Sequence, residues 1–199
     1  MNDYFSSGMW EKLKNDYSKV KKKGHSNVFF GDSMTEYLKG YFTESDSVVN
    51  MGICGDFTQG LIKRINNVTD FYPDNVFIMI GINDIIEKVP INETEENYRK
   101  IINLIQSDCP RTRIYIQSTL PTYGLAGTFS SSKDINNRVQ ELNRFLKIIT
   151  KEKGIIFIDM YNDFVNSKNE LRPELTIDGI HLNEAGNNLW LSHVKEFMN

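Results

Sequence analysis

Residues 28–38 read VFFGDSMTEYL: an apolar run closes on Gly31, Asp32 and Ser33, then passes into a polar stretch with helical character. A serine at such a corner is a nucleophile, a helix cap, or a residue with no special task. The choice turns on a base, because a hydroxyl attacks a carbonyl only when its proton has somewhere to go. The chain holds three histidines. His25 precedes the apolar run and falls at the opposite end of that segment from Ser33, and His193 lies inside a helical pattern. His181 stands in TIDGIHLNEAG, just before that pattern, with Asp178 three residues upstream. Asp178 can fold back to accept a hydrogen bond from one ring nitrogen, leaving the other to face Ser33. Asp32 is assigned to the backbone amides around the turn and is also counted among the residues that could meet a substrate.

For these groups to meet, distant segments must converge on one edge. Five short apolar runs read as strands: NVFF (27–30), SVVNM (47–51), NVFIMI (75–80), RIYIQS (113–118) and GIIFID (154–159). Their hydrophobicity is nearly continuous rather than alternating, as a parallel sheet covered on both faces requires. Helical spacing fills the intervals. TQGLIKRINNV sets Leu61, Ile62 and Ile65 on one stripe, and TEENYRKIINLIQSD does so with Tyr98, Ile101, Ile102 and Ile105, with Thr94 as N-cap. A longer helical pattern closes on Gly154, Asn183 caps the last helix, and a further helix is expected around residues 7–22. The expected fold is α/β, a three-layer sandwich around a five-stranded parallel sheet with a flavodoxin-like outline, in one domain over residues 1–199.

Composition narrows the function. A formal net charge of -3 with scattered cations gives no basic stripe for nucleic acid. No apolar stretch approaches the roughly 20 residues of a membrane helix, and the N-terminal segment lacks the apolar centre of a signal peptide, so a cytoplasmic location is expected. Cys54 and Cys109 are expected to be free thiols, and no residue spacing suggests a metal site. Neither a G-x-G-x-x-G turn nor a P-loop follows any strand, so no cofactor is expected. Trp10 and Tyr17 on the first helix are assigned to packing rather than to an interface, and no oligomeric state follows.

Ligands of open parallel sheets bind beyond the carboxyl ends of the strands. Four of the five strand ends deliver small or polar residues there: GDSMTE, NMGICGDFT, IGINDII and, after a longer excursion, TIDGIHLNEAG. Singly, each has a plain reading: Ser33 a cap, Gly52 and Gly55 turn glycines, Asn83-Asp84 a cap, Asp178-Gly179 a turn. Together they resemble the SGNH hydrolases, also called GDSL esterases and lipases, in family order across residues 28–186. The second and third blocks are most similar to the branch of platelet-activating-factor acetylhydrolase-like and carbohydrate O-acetyl esterases.

This resemblance implies a serine esterase with Ser33, Asp178 and His181 as catalytic residues. It implies an oxyanion hole made of the Ser33 and Gly52 N–H groups and the Asn83 carboxamide, with neither metal nor cofactor. The expected partner is a small-molecule ester with a short acyl group, foremost an O-acetyl group on a sugar. A lysophospholipase, a thioesterase or an acyltransferase would use the same residues. A non-catalytic carbohydrate-binding protein on this fold is expected to lack Ser33, His181 or the donors, and this chain keeps them all. The acyl pocket is expected from the loops at 54–58, 85–89 and 118–132, with Phe57, Tyr123 and Phe129 as substrate contacts. The last loop is either a mobile lid hinged at Gly124 and Gly127 or a plain connection.

Overall fold

Each of the five apolar runs forms a strand: β1 (Asn27–Gly31), β2 (Val48–Gly52), β3 (Asn75–Met79), β4 (Arg113–Gln117) and β5 (Ile156–Ile158). The structure, a computed structural model, describes residues 8–21, 26–43, 47–125 and 131–198. The strands pair in the order β2-β1-β3-β4-β5, every pair parallel. This order reverses direction between β1 and β3, so the crevice at the carboxyl end opens between the segments that follow those two strands. Ser33 follows β1 and Asn83 follows β3.

Both faces of the sheet are covered, which is why the strand sequences do not alternate. On one face Val28, Phe30, Met51, Val76, Ile78 and Ile116 pack against helices. These are α1 (Gly8–Tyr17), α3 (Thr58–Lys63), α4 (Asn66–Thr69), α6 (Ile91–Asp108) and α7 (Ser132–Lys153). On the other face Phe29, Phe77 and Tyr115 stand in register, their rings stacked with centroids 4.7 and 4.6 Å apart. That face is covered by α2 (Ser33–Glu36), α8 (Tyr161–Phe164) and α9 (Glu184–Val194), through Met34, Phe164, Trp190 and Val194. Burying each large side chain contributes about 1.5–3 kcal/mol. α5 (Ile82–Ile86) closes the set.

Several helix ends fall as the sequence implies. Asp134 N–H donates to Ser131 Oγ at the start of α7, Gly154 closes it with φ 66°, and Gly186 N–H donates to Asn183 Oδ1 at the start of α9. Others differ. The single helix expected over 58–68 is interrupted at Arg64, whose guanidinium is drawn into the core. α6 begins at Ile91 rather than after Thr94, because Pro90 presets the entry with φ −54°, and Thr94 is buried within the first turn. Trp10 and Tyr17 are buried against the body, as assigned. Residues 7 and 22 of the expected first helix lie outside the described residues.

Gly52, at the end of β2, lacks a side chain because α2 crosses there. A Cβ would stand 2.3 Å from Glu36 N and 2.8 Å from Thr35 C. The space serves helix packing, not substrate entry. Gly52→Ala is therefore expected to lower stability by at least ~2 kcal/mol, since backbone on both sides must yield; urea denaturation of the purified variant measures it, and an unchanged midpoint would refute this reading.

Candidate active site

The turn after β1 presents Ser33. Asp32 caps α2, its Oδ1 accepting the Met34 N–H at 3.0 Å, so Ser33 is the first helical residue rather than the cap. The N–H of a first helical residue has no intrahelical acceptor and remains available. Ser33 Oγ lies 2.9 Å from His181 Nε2, and His181 Nδ1 lies 2.6 Å from Asp178 Oδ2. The expected fold-back of Asp178 is present: its Oδ1 accepts the N–H groups of His181 and Ile180 at 2.8 and 3.0 Å. Burial works to raise the Asp178 carboxyl, but the bonds from the His181 ring and from these two amides outweigh it and hold it below the ordinary carboxylate range. Nδ1 then carries the ring proton toward Asp178, and Nε2 is left to accept from Ser33.

The loop bearing both groups is braced from outside. Thr176 Oγ1 donates to the His181 carbonyl at 2.7 Å, and Tyr123 N–H donates to the Gly179 carbonyl at 2.8 Å. Tyr123 belongs to the segment read as either a lid or a plain connection. Its described part is bonded to α7: Thr119 N–H bonds Asn143 Oδ1, Thr122 N–H bonds Asn136 Oδ1, and Leu125 N–H bonds Ser132 Oγ. Phe129 and Gly127 lie outside the described residues.

The second block departs from expectation. Gly52 N–H is already donated to Asn50 Oδ1 at 2.9 Å, and Asn50 Nδ2 donates to the Thr35 carbonyl. It is therefore not free for an oxyanion. Gly55 takes the positive φ of 75° expected of a turn glycine, and its N–H donates to no group among the described residues. It is flanked on both sides by contacts to the site. Cys54, its predecessor, lies within hydrogen-bonding reach of Ser33, and the carbonyl of Asp56, its successor, accepts Asn83 Nδ2 at 2.9 Å.

Beneath this loop lies a layer the sequence reading missed. Arg64 is fully buried: Nε donates to Asp56 Oδ2 at 2.8 Å, Nη1 to the Met51 carbonyl and Nη2 to the Gly31 carbonyl. Asp56 also accepts Trp10 Nε1 at 3.1 Å and its neighbour's N–H, that of Phe57. Burial pushes its carboxyl up and the guanidinium opposes this. Asp84, expected to cap a helix, bonds Thr58 through both carboxylate oxygens instead, and burial raises it to about 6. A cation placed three residues from Leu61 on an apolar stripe was the available signal for Arg64.

Of the expected substrate contacts, Phe57 is buried in the core. Tyr123 is partly exposed and borders a groove with Pro173, Ile177 and Asp178. Asp32 is buried and lines an apolar cavity with Met34, Ile82, Leu120 and Ile180, a different set from the expected 85–89 loop. Cys109 is buried and Cys54 is exposed, both as thiols. Among the described residues no group of three or more His, Cys, Asp and Glu is placed to hold a metal, and no helix is long and apolar enough to cross a membrane.

A hydroxyl, an imidazole and a carboxylate in hydrogen-bonded series, at the carboxyl edge of a parallel sheet, form the arrangement used by enzymes that cleave acyl groups. The comparisons agree. The family model described as GDSL-like Lipase/Acylhydrolase matches residues 29–189. The chain belongs to this family. A solved protein of Streptococcus pneumoniae, described as a platelet activating factor, is 27% identical with a TM-score of 0.86, covering 100% of this chain and 96% of that one. An acetylxylan esterase of Geobacillus stearothermophilus shares the fold at 21% identity and a TM-score of 0.71, over 91% of this chain and 96% of that one. The N-acylneuraminate cytidylyltransferase of Streptococcus agalactiae is 26% identical over 190 residues, 93% of this chain. The chain spans only 41% of the length of that relative.

Asp32 generates a prediction about pH. Burial pushes its carboxyl from an ordinary value up to about 8, with Asp56 and Asp84 adding to the rise and only amide bonds opposing. The folded protein therefore holds a proton near neutrality that the unfolded chain, with a carboxyl near ~3.9, has released. Stability from this group is present at acid pH and is lost as pH climbs toward 8. Asp32→Asn keeps the cap acceptor and removes the ionisation, so its unfolding free energy is expected to fall less between pH 6 and pH 8 than that of the wild type. Parallel denaturation curves at both pH values decide this, and equal slopes would count against it.

Proposed function

We propose that this chain is a serine esterase that cleaves acetyl and other short acyl esters through an acyl-enzyme on Ser33, with an O-acetylated carbohydrate as its substrate class. The observation that carries the reading is the 2.9 Å approach of Ser33 Oγ to His181 Nε2, with Asp178 2.6 Å behind the ring.

In this mechanism Ser33 Oγ adds to the ester carbonyl while its proton passes to His181 Nε2, and Asp178 stabilises the imidazolium that forms. The carbonyl oxygen becomes an oxyanion. Its donors are the Ser33 N–H, the Gly55 N–H in place of the expected Gly52, and the second N–H of Asn83 Nδ2, whose first is donated to the Asp56 carbonyl. The intermediate collapses as Nε2 returns its proton to the departing alcohol oxygen, leaving the acyl group on Ser33. Water then repeats the sequence, giving up a proton to Nε2, and releases the carboxylic acid.

The acyl group has a place to go. The cavity walls include Asp32 and Met34 on either side of Ser33, Ile82 beside Asn83 and Ile180 beside His181. Its volume is about 10 Å³, on the scale of the ~10–15 Å³ needed by a single water, which suits a methyl group better than a long chain. The acetylxylan esterase acts on an acetylated sugar polymer, and the cytidylyltransferase is named for an acylated sugar. Both support carbohydrate as the alcohol.

With p-nitrophenyl acetate, Ser33→Ala and His181→Ala are expected to abolish turnover above background, and Asn83→Ala to lower kcat by about 10²–10³ with little change in folding. Serine-independent turnover, or none with any chain length, would defeat the proposal. The rate should fall steeply from acetyl to butyryl esters. Ile180→Ala should raise the butyryl-to-acetyl ratio of kcat/KM by about tenfold, because one wall of the cavity recedes.

A further inference from the structure

One exposed aromatic side chain at the site is held in place before any substrate arrives. Tyr37, in the turn after α2, is 45% exposed. Its ring centroid lies 4.9 Å from that of His181, at 44°. Its hydroxyl lies near the Cys54 thiol, and Cys54 N–H is anchored on Glu36 Oε2 at 2.6 Å. A large ring left open to water usually gains from folding down onto the body. Tyr37 instead rests against the His181 ring on one flank while much of it stays open. A fixed aromatic surface loses little side-chain freedom when a ligand covers it.

The chemistry determines what would cover it. His181 Nε2 must reach both Ser33 Oγ and the oxygen of the departing alcohol, so the alcohol lies beside the imidazole while the acyl group enters the cavity walled by Met34, Ile82 and Ile180. Tyr37 flanks the imidazole. We propose that Tyr37 is the platform for the alcohol half of the substrate and that this alcohol is a sugar ring, whose flat C–H face packs on the tyrosine. Tyr123 and Ile177, 39% and 66% exposed, line a groove with Asp178. A small aliphatic alcohol has no flat face to match such a surface. The inference rests on the esterase reading above and adds the specificity-determining residue for the leaving group.

Two substrates with the same acyl group separate this role from support of the imidazole, because they pass through one acyl-enzyme and differ only in the alcohol. The probes are an acetylated methyl xyloside and ethyl acetate. In Tyr37→Ala the ratio of kcat/KM for the sugar ester to that for ethyl acetate is expected to fall about tenfold or more, and Tyr37→Phe should retain most of the wild-type ratio. An equal loss on both esters would show that the ring merely positions His181, and an unchanged ratio would likewise overturn the proposal. Wild-type turnover of ethyl acetate that does not require Ser33 would instead strike the esterase reading, and the platform with it. Thermal denaturation of both variants confirms that the ratios come from folded protein.

Discussion

The buried guanidinium of Arg64 is the constraint on which the site depends. An arginine without exposure to water is costly to bury unless every donor direction is answered. Here three answers come from three different segments: the carbonyl ending β1, the carbonyl near the end of β2, and the carboxylate of Asp56. The Phe30 ring lies 4.4 Å beneath the guanidinium carbon. Arg64 thereby ties two strand ends and the loop after β2 into one body. The helix that carries it breaks at that residue, which is a local sacrifice to a tertiary demand.

From Asp56 the constraint passes outward to the chemistry. Trp10 reaches in from α1 to hold the same carboxylate, and the Asp56 carbonyl fixes Asn83 at the head of α5. Tyr17, also on α1, donates to the Gly52 carbonyl at 2.8 Å. The helix that precedes β1 thus braces the end of β2 and the loop after it. In the proposed mechanism, donors held this way need no reorganisation when negative charge develops, which is where electrostatic catalysis gains most. The histidine side is built differently. Asp178 and His181 are organised by short-range bonds within their own loop, and Tyr123 N–H, bonded to the Gly179 carbonyl, helps hold that loop against the body.

Much of this was legible in sequence because it is local or periodic. Strand runs, helix stripes, the Asn183 and Ser131 caps and the Asp178–His181 spacing each reflect interactions within a few residues. The ordering of the four polar blocks at strand ends pointed to Ser33, Asn83 and His181 sharing an edge. The errors have one origin. Gly52 was read as an open donor, yet its N–H bonds Asn50 and its bare Cα admits the backbone of α2. Phe57 was read as a substrate contact, yet it completes the core beside Leu61 and Ile65. In both cases the packing of the folded chain, not the short block that carries the residue, determines what a group near a crevice faces.

The amino-acid sequence by itself determined the α/β class, the parallel sheet, the family, and which serine and histidine could meet, since these follow from periodicity, end signals and the order of short polar blocks. Only the tertiary structure decided which amides remain free, that Arg64 and Asp56 lie buried under the loop, and that Tyr37 stands over the imidazole. The physical reason is desolvation. Whether a polar group costs or contributes free energy depends on the partners left to it once water is gone, and those partners come from parts of the chain that no local pattern connects.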